Sequence, residues 1–229
     1  MDPTSSIALW AALFVITHFG VAARSIRPNL VRMLGNGPYL LVYSLISFGT
    51  FIPLTIAFFS AKHSGPMLWY LRDLEPVRWL TISLMVVGLV VTAGAFITPS
   101  PAGLAPNTTF EPRGMLKITR HPLFVGIAIF GIAHMLMNGW LGDLLYFGTY
   151  PVVAIVGAWH QDQRKLADMG EEYRAFYQST SFIPGAALID GRQHFSLPDL
   201  SFPALVLGAV LVVALLFAHP HIFGGHPLG

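Results

Sequence analysis

The sequence predicts an all-α fold: a polytopic membrane helix bundle of about six transmembrane helices, both termini outside, with a short cytoplasmic interfacial helix. Three observations carry this. The 229 residues are 54% hydrophobic and 10% charged, with a mean hydropathy of +0.63, whereas a soluble domain is about 25% charged. Thirteen basic and eleven acidic residues cannot coat a globule of this size. The apolar residues gather into six windows near the roughly 20 residues that cross a bilayer. Lysines and arginines then fall unevenly between alternate loops. The same composition excludes a disordered chain, a coiled coil and a disulfide scaffold. With no cysteine there is no thiolate ligand, and a net charge of +2 is too small to point to nucleic acid.

The first window runs from about Ser5 to Ala23. It reads as a span rather than a signal peptide, because it lacks a basic start and is interrupted by His18. The second, Tyr39 to Ala61, is bent or tilted around Pro53, and the third is Val77 to Ile97. The fourth, about Pro122 to Met137, is short for a span. It borders the fifth, Leu141 to Trp159, across Asn138-Gly139-Trp140, which predicts a tight helical hairpin. The sixth, Phe202 to Ala218, is the most uniformly aliphatic. Between the last two, Leu166, Met169, Tyr173, Phe176 and Tyr177 recur at helical spacing, predicting a short interfacial helix over Asp162 to Gln178. Six alternating spans put Arg24, Arg27, Arg32, Arg113, Lys117, Arg120, Arg164, Lys165, Arg174 and Arg192 on one side and Lys62, Arg72 and Arg78 on the other. The richer side is cytoplasmic. The expected location is the bacterial inner membrane.

Ionisable residues inside membrane helices are rare and functional by default. His18 lies in the first window and His134 late in the fourth, each among sequence neighbours that offer no hydrogen bond. Two neutral imidazoles on facing helices can hold a haem iron from both sides, and Arg24, Arg27 and Arg120 could meet the propionates. The alternative is a histidine that hydrogen-bonds across a helix packing contact. At 1.5 Å per residue, His134 lies about 19 Å from His121, and His18 about 9 Å from Arg24, an offset of about 10 Å. Extending the first helix to Arg27 removes roughly 4 Å of it. Depth alone also permits His18 with His121, or His134 with His63. His160 closes the fifth window, His194 lies in the cytoplasmic segment, and His219, His221 and His226 fall in an outer tail that reads as a flexible end.

Arg120-His121-Pro122-x-x-x-Gly126, with Gly170-Glu171-Glu172-Tyr173, resembles the pattern of isoprenylcysteine carboxyl methyltransferases, which implies an S-adenosylmethionine site lined by Arg120, His121, Glu171 and Glu172. Here Pro122 starts a helix and Gly126 allows a close neighbour. A broader resemblance is to the NnrU family, which includes the 15-cis-ζ-carotene isomerases. It rests on His18-Phe-Gly-Val-Ala-Ala-Arg24 with Pro28; on Ile118-Thr-Arg-His-Pro122, Ile132-Ala-His134 and Asn138-Gly139; and on Gly157-Ala-Trp159, Asp162-Gln-Arg164, Gly170-Glu171, Thr180-Ser181 and Ile189-Asp-Gly-Arg-Gln193. It implies a haem-binding membrane domain over 5–195, followed by an additional membrane helix and outer tail over 196–229.

The isomerase branch implies haem b held by two histidines, which match His18 and His134 as metal ligands and catalytic residues, with Arg24, Arg120 and His121 in the cofactor surroundings. It further implies a redox-gated cis–trans isomerisation of a hydrophobic polyene, fed by an electron donor. His63 and His121 match further histidine positions of that branch, and His160 stands where its members have asparagine. The bacterial branch implies instead a haem factor in nitrite and nitric oxide metabolism. A scaffold with no cofactor is the non-enzymatic alternative.

Overall fold

The computed structural model describes residues 1–103 and 109–225. His226 and residues 104–108 of the Pro/Thr-rich loop lie outside the described residues. Among the described residues the regular elements are helical: α1 (Pro3–Ala22), α2 (Arg27–Leu34), α3 (Asn36–Ser60), α4 (Glu75–Ile97), α5 (Met115–Ile118), α6 (Pro122–Met137), α7 (Leu141–Asp168), α8 (Gly170–Ser179), α9 (Ala186–Ile189), a 3₁₀ turn (Leu197–Asp199) and α10 (Phe202–Phe223). Among the described residues five helices, α1, α3, α4, α7 and α10, are long and apolar enough to cross a membrane. The sixteen residues of α6 reach only about 24 Å, short of a hydrocarbon core of roughly 30 Å. Leu41, Leu45, Phe48, Ile52 and Ile56 form an exposed apolar stripe along α3, a surface that lipid covers at no cost.

Sequence and structure differ at three element boundaries. The fifth window does not stop at Trp159: α7 continues to Asp168, because the polar residues after Trp159 find partners inside the fold. The expected helix over Asp162 to Gln178 is thus divided between the end of α7 and α8, with Gly170 at φ +70° at the break. Tyr173 and Phe176 of α8 pack with Ala102 and Leu116. The last helix runs on to Phe223, so His219 and His221 are helical. The first helix ends at Ala22, as its window expects, and a turn leads into α2, so the extension to Arg27 that would shrink the depth offset is not made.

The chain forms two compact units. The first comprises residues 1–78 and 134–153. In it α1 and α3 are antiparallel: Phe14 meets Phe51, Thr17 meets Thr50, and Tyr39 donates to the Val21 carbonyl. The start of α7 runs antiparallel to α3, with Phe51 against Tyr150 and Phe58 stacked on Tyr146 at 4.0 Å. The loop after α3 is tied to the α6–α7 turn by Leu68 N–H to the Gly139 carbonyl, Leu141 N–H to Pro66 and Gly142 N–H to Ser64. A Cβ on Gly139 would stand 2.0 Å from the Trp69 carbonyl, so only glycine fits there.

The second unit comprises residues 79–133 and 154 onward. Its α4 and α6 touch at Gly126, where a Cβ would lie 1.9 Å from Thr92 Oγ1 and 2.9 Å from the Gly88 carbonyl. This is the close approach that the Arg-His-Pro-x-x-x-Gly spacing predicts. The predicted α6–α7 hairpin is present as well. His134 stacks on Phe147 in the first unit, and Phe124 lies under Gly157 in the second.

Candidate functional site

Two clusters hold the residues the sequence singles out. His18 and His134 both belong to the first unit. Near the end of α1, His18 meets α3: Tyr43 Oη lies 2.9 Å from Nε2, and Ser47 Oγ lies 3.3 Å from Nδ1. The neighbouring Thr17 hydroxyl bonds back to the Leu13 carbonyl, and the His18 partners come from across the packing contact. His134 lies over Phe147 with ring centroids 4.6 Å apart and planes 25° apart.

A continuous series of ring contacts joins the two histidines. It runs from His18 to Phe14 (5.3 Å), Phe51 (5.1 Å), Tyr150 (6.2 Å), Phe147 (6.4 Å) and His134 (4.6 Å). Contacts between antiparallel neighbours also fix the register. Phe147 is level with about Leu54 of α3, and Leu54 with about Ala11 of α1. His134 therefore stands seven residues from His18, an axial offset of about 10 Å. The offset expected from the sequence is retained in the fold.

The donor types are those haem takes, two imidazoles in one compact unit and no thiolate in the chain. The rings of Phe14, Phe51, Tyr150 and Phe147 and the axial offset stand between them, so this arrangement does not bring the two imidazoles face to face across one iron. Arg24, exposed just past the end of α1, is the nearest cation in sequence to His18. Arg27 lies over the Tyr39 ring, 5.3 Å from its centroid.

His63 is held apart from this pair. Asp143, fully buried near the start of α7, accepts from both the His63 backbone N–H (3.2 Å) and Nδ1 (2.7 Å). The double grip holds His63 at φ +59°, a left-handed conformation that a residue with a Cβ rarely adopts. Its ring lies 4.5 Å from that of Trp140.

Arg120 and His121 lie in the second unit, in a buried cluster centred on Asp162 of α7. Arg120 donates from Nε (2.9 Å) and Nη2 (2.7 Å) to Oδ2, while His121 Nε2 (2.8 Å) and Tyr173 Oη (2.8 Å) donate to Oδ1. The guanidinium lies 4.2 Å from the Tyr177 ring centroid, and the Arg120 N–H donates to the Ser181 carbonyl. One carboxylate thus ties the start of α6 to α7 and α8. Burial holds the His121 imidazole below its ordinary range, and the bond to Asp162 only partly offsets this. Neutral His121 donates through Nε2, leaving a buried Nδ1 lone pair with no partner among the described residues. Burial, reinforced by the adjacent Asp162, pushes the Tyr173 phenol upward, so it stays a donor.

This arrangement bears on the sequence-based roles. Arg120 is 7% exposed and committed to Asp162, so it is an internal ion-pair partner rather than a surface cation. Arg120 and His121 turn inward, whereas Glu171 and Glu172 are exposed on α8, with Glu171 paired to Arg174 at 3.3 Å. The methyltransferase resemblance therefore gains no shared pocket from these four residues. Sequence reasoning missed Asp143 and Asp162 as partners. Both are acids inside a long apolar helix, and the rule that singled out the histidines applies to them with greater force.

Comparison with known proteins agrees with the motifs. The family model described as NnrU protein matches residues 6–227, through the last helix. The chain is 28% identical over 231 residues to the chloroplastic 15-cis-zeta-carotene isomerase of Zea mays, covering 93% of this chain and 59% of that protein. It is 27% identical over 242 residues to the Arabidopsis thaliana protein of the same name, covering 97% and 62% respectively. The chain thus spans about three-fifths of the length of these relatives. No solved structure matches it. With the motifs in order and the family match running nearly end to end, the chain belongs to the NnrU family.

Proposed function

We propose that this chain is an integral-membrane haem b protein that isomerises a cis double bond in a hydrophobic, carotenoid-like polyene. The observation that carries this reading is the match to the NnrU family and to the isomerases, with His18 and His134 in one compact unit. The names of the two curated relatives support the substrate class. His18 and His134 would hold the iron once the Phe14, Phe51, Tyr150 and Phe147 rings between them move aside. When bound and reduced, haem lowers the barrier to rotation about a polyene double bond without net oxidation.

The chain's own residues do the rest. Tyr43 and Ser47 orient His18, and the Phe147 ring orients His134. Such outer partners set the direction of a ligand ring. Phe14, Phe51 and Tyr150 offer apolar faces to an extended conjugated chain. Arg120 and His121 hold the start of α6 through Asp162 within the second unit.

The test is isomerisation in the dark. Detergent-purified protein is incubated with a 15-cis polyene after reduction or oxidation, and the isomers are separated by chromatography. Conversion is expected only with reduced protein, and its loss in His18→Ala. Equal conversion by a His18→Ala/His134→Ala double variant would overturn the reading.

A further inference from the structure

The connection between the first two membrane helices carries a feature that the isomerase reading does not use. The chain leaves α1 at Ala22, forms the eight-residue α2, and turns back into α3 at Gly35, whose φ of +84° permits the reversal. Because α1 and α3 are both long apolar helices, α2 must lie where they leave the bilayer. None of its residues is buried. At 100° per residue, Ile26, Leu30, Met33 and Leu34 fall on one side of the helix. Three of them are exposed, Met33 by 79%. Arg27 and Arg32 flank this face, Arg24 stands in the turn just before it, and the whole stretch from residue 3 to residue 72 contains no Asp or Glu.

A short helix with an apolar face, flanking arginines and no acid has the character of an element lying in the headgroup layer. Water alone would leave Met33, Leu34 and Ile26 unburied. A protein partner would leave three unneutralised cations unless it were acidic. An anionic bilayer surface satisfies both demands at once, taking the apolar face into the acyl boundary and the arginines at the phosphates. We infer that α2 is a binding site for anionic phospholipid. Arg24, Arg27 and Arg32 engage the headgroups while Ile26, Met33 and Leu34 insert just beneath them. The short, rigid link to α1 makes the lipid composition around α2 part of the environment that positions the end of α1.

The chain contains no cysteine, so a single Met33→Cys variant of the full chain takes a nitroxide label cleanly. In nanodiscs of mixed phosphatidylcholine and phosphatidylglycerol, the label is expected to collide more with oxygen than with a water-soluble nickel chelate. A label as open to the chelate as one in water would overturn the insertion. Lipid retained after mild detergent extraction, counted by mass spectrometry, is expected to be enriched in phosphatidylglycerol. The enrichment should fall on the order of five-fold per arginine removed in Arg24→Gln, Arg27→Gln and Arg32→Gln combinations. The triple lysine variant should keep it. No phosphatidylglycerol preference in the wild-type chain, or full preference in a monodisperse triple glutamine variant, would overturn the proposal. Should the glutamine variant fail to fold, the wild-type lipid preference and the Met33 depth still decide.

Discussion

Asp162 accepts hydrogen bonds from three side chains, Arg120, His121 and Tyr173, in a site almost closed to water. Breaking a buried ion pair by neutralising one partner leaves the other charge uncompensated, at a cost of about 3–5 kcal/mol. Asp162→Asn should therefore lower the thermal midpoint of the detergent-solubilised protein markedly; a loss below about 1 kcal/mol, the scale of an exposed pair, would contradict it. A pH dependence follows from His121. Burial lowers its folded-state pKa beneath the ordinary 6.5, so below that pH the unfolded chain binds the extra proton first. Stability should be full above about pH 6.5 and fall as the pH drops below it. His121→Gln, which keeps a donor toward Asp162 but cannot titrate, should flatten that slope in thermal melts between pH 5 and 7.5. Both intramembrane histidines were legible at this scale, because a histidine in an aliphatic run stands out. Their partners were not. Tyr43 is 25 positions from His18 and Asp162 is 42 from Arg120, and no local spacing reports a pairing made by helix packing.

Helices were easier to read than their ends. Apolar length fixed the spans to within a few residues, since a bilayer demands a near-constant run. Polar partners decided the rest: α7 passes Trp159 because Asp162 and Lys165 are satisfied internally, the latter by the Pro101 carbonyl. The short α2 carries too few residues to show a periodicity. Glycine contacts give a test at this scale. Gly126→Ala drives a Cβ against Thr92 and the Gly88 carbonyl, and overpacking of this kind costs about 1–3 kcal/mol. Gly20→Ala, in α1 with nothing within 4 Å of its added carbon, should be neutral or slightly stabilising, by up to about 1 kcal/mol. Thermal unfolding of the two variants side by side checks the α4–α6 contact; equal midpoints would contradict it.

For the molecule as a whole, low charge and the absence of cysteine did most to narrow the reading, leaving histidine as the principal ligand type in a membrane setting. The family match extends over nearly all of the chain, including α10, beyond Gln193 where the recognisable motifs stop. The chain contributes two separate polar centres. In the first unit the aromatic seam links His18 and His134, and in the second unit Asp162 joins α6, α7 and α8. The first centre has the donors for a cofactor, and the second has the closed hydrogen bonding of a structural clasp. Substitutions at the two should therefore separate: Asp162→Asn lowering stability, His18→Ala and His134→Ala lowering cofactor content in a chain that still folds. The measurement that tests this most directly is the absorption spectrum of the purified protein from a haem-competent host, oxidised and reduced, beside His18→Ala and His134→Ala. The predicted result is a six-coordinate haem b Soret band in the wild type that is lost in either variant. A folded, monodisperse wild-type chain without porphyrin, or a band unchanged in both variants, would contradict it.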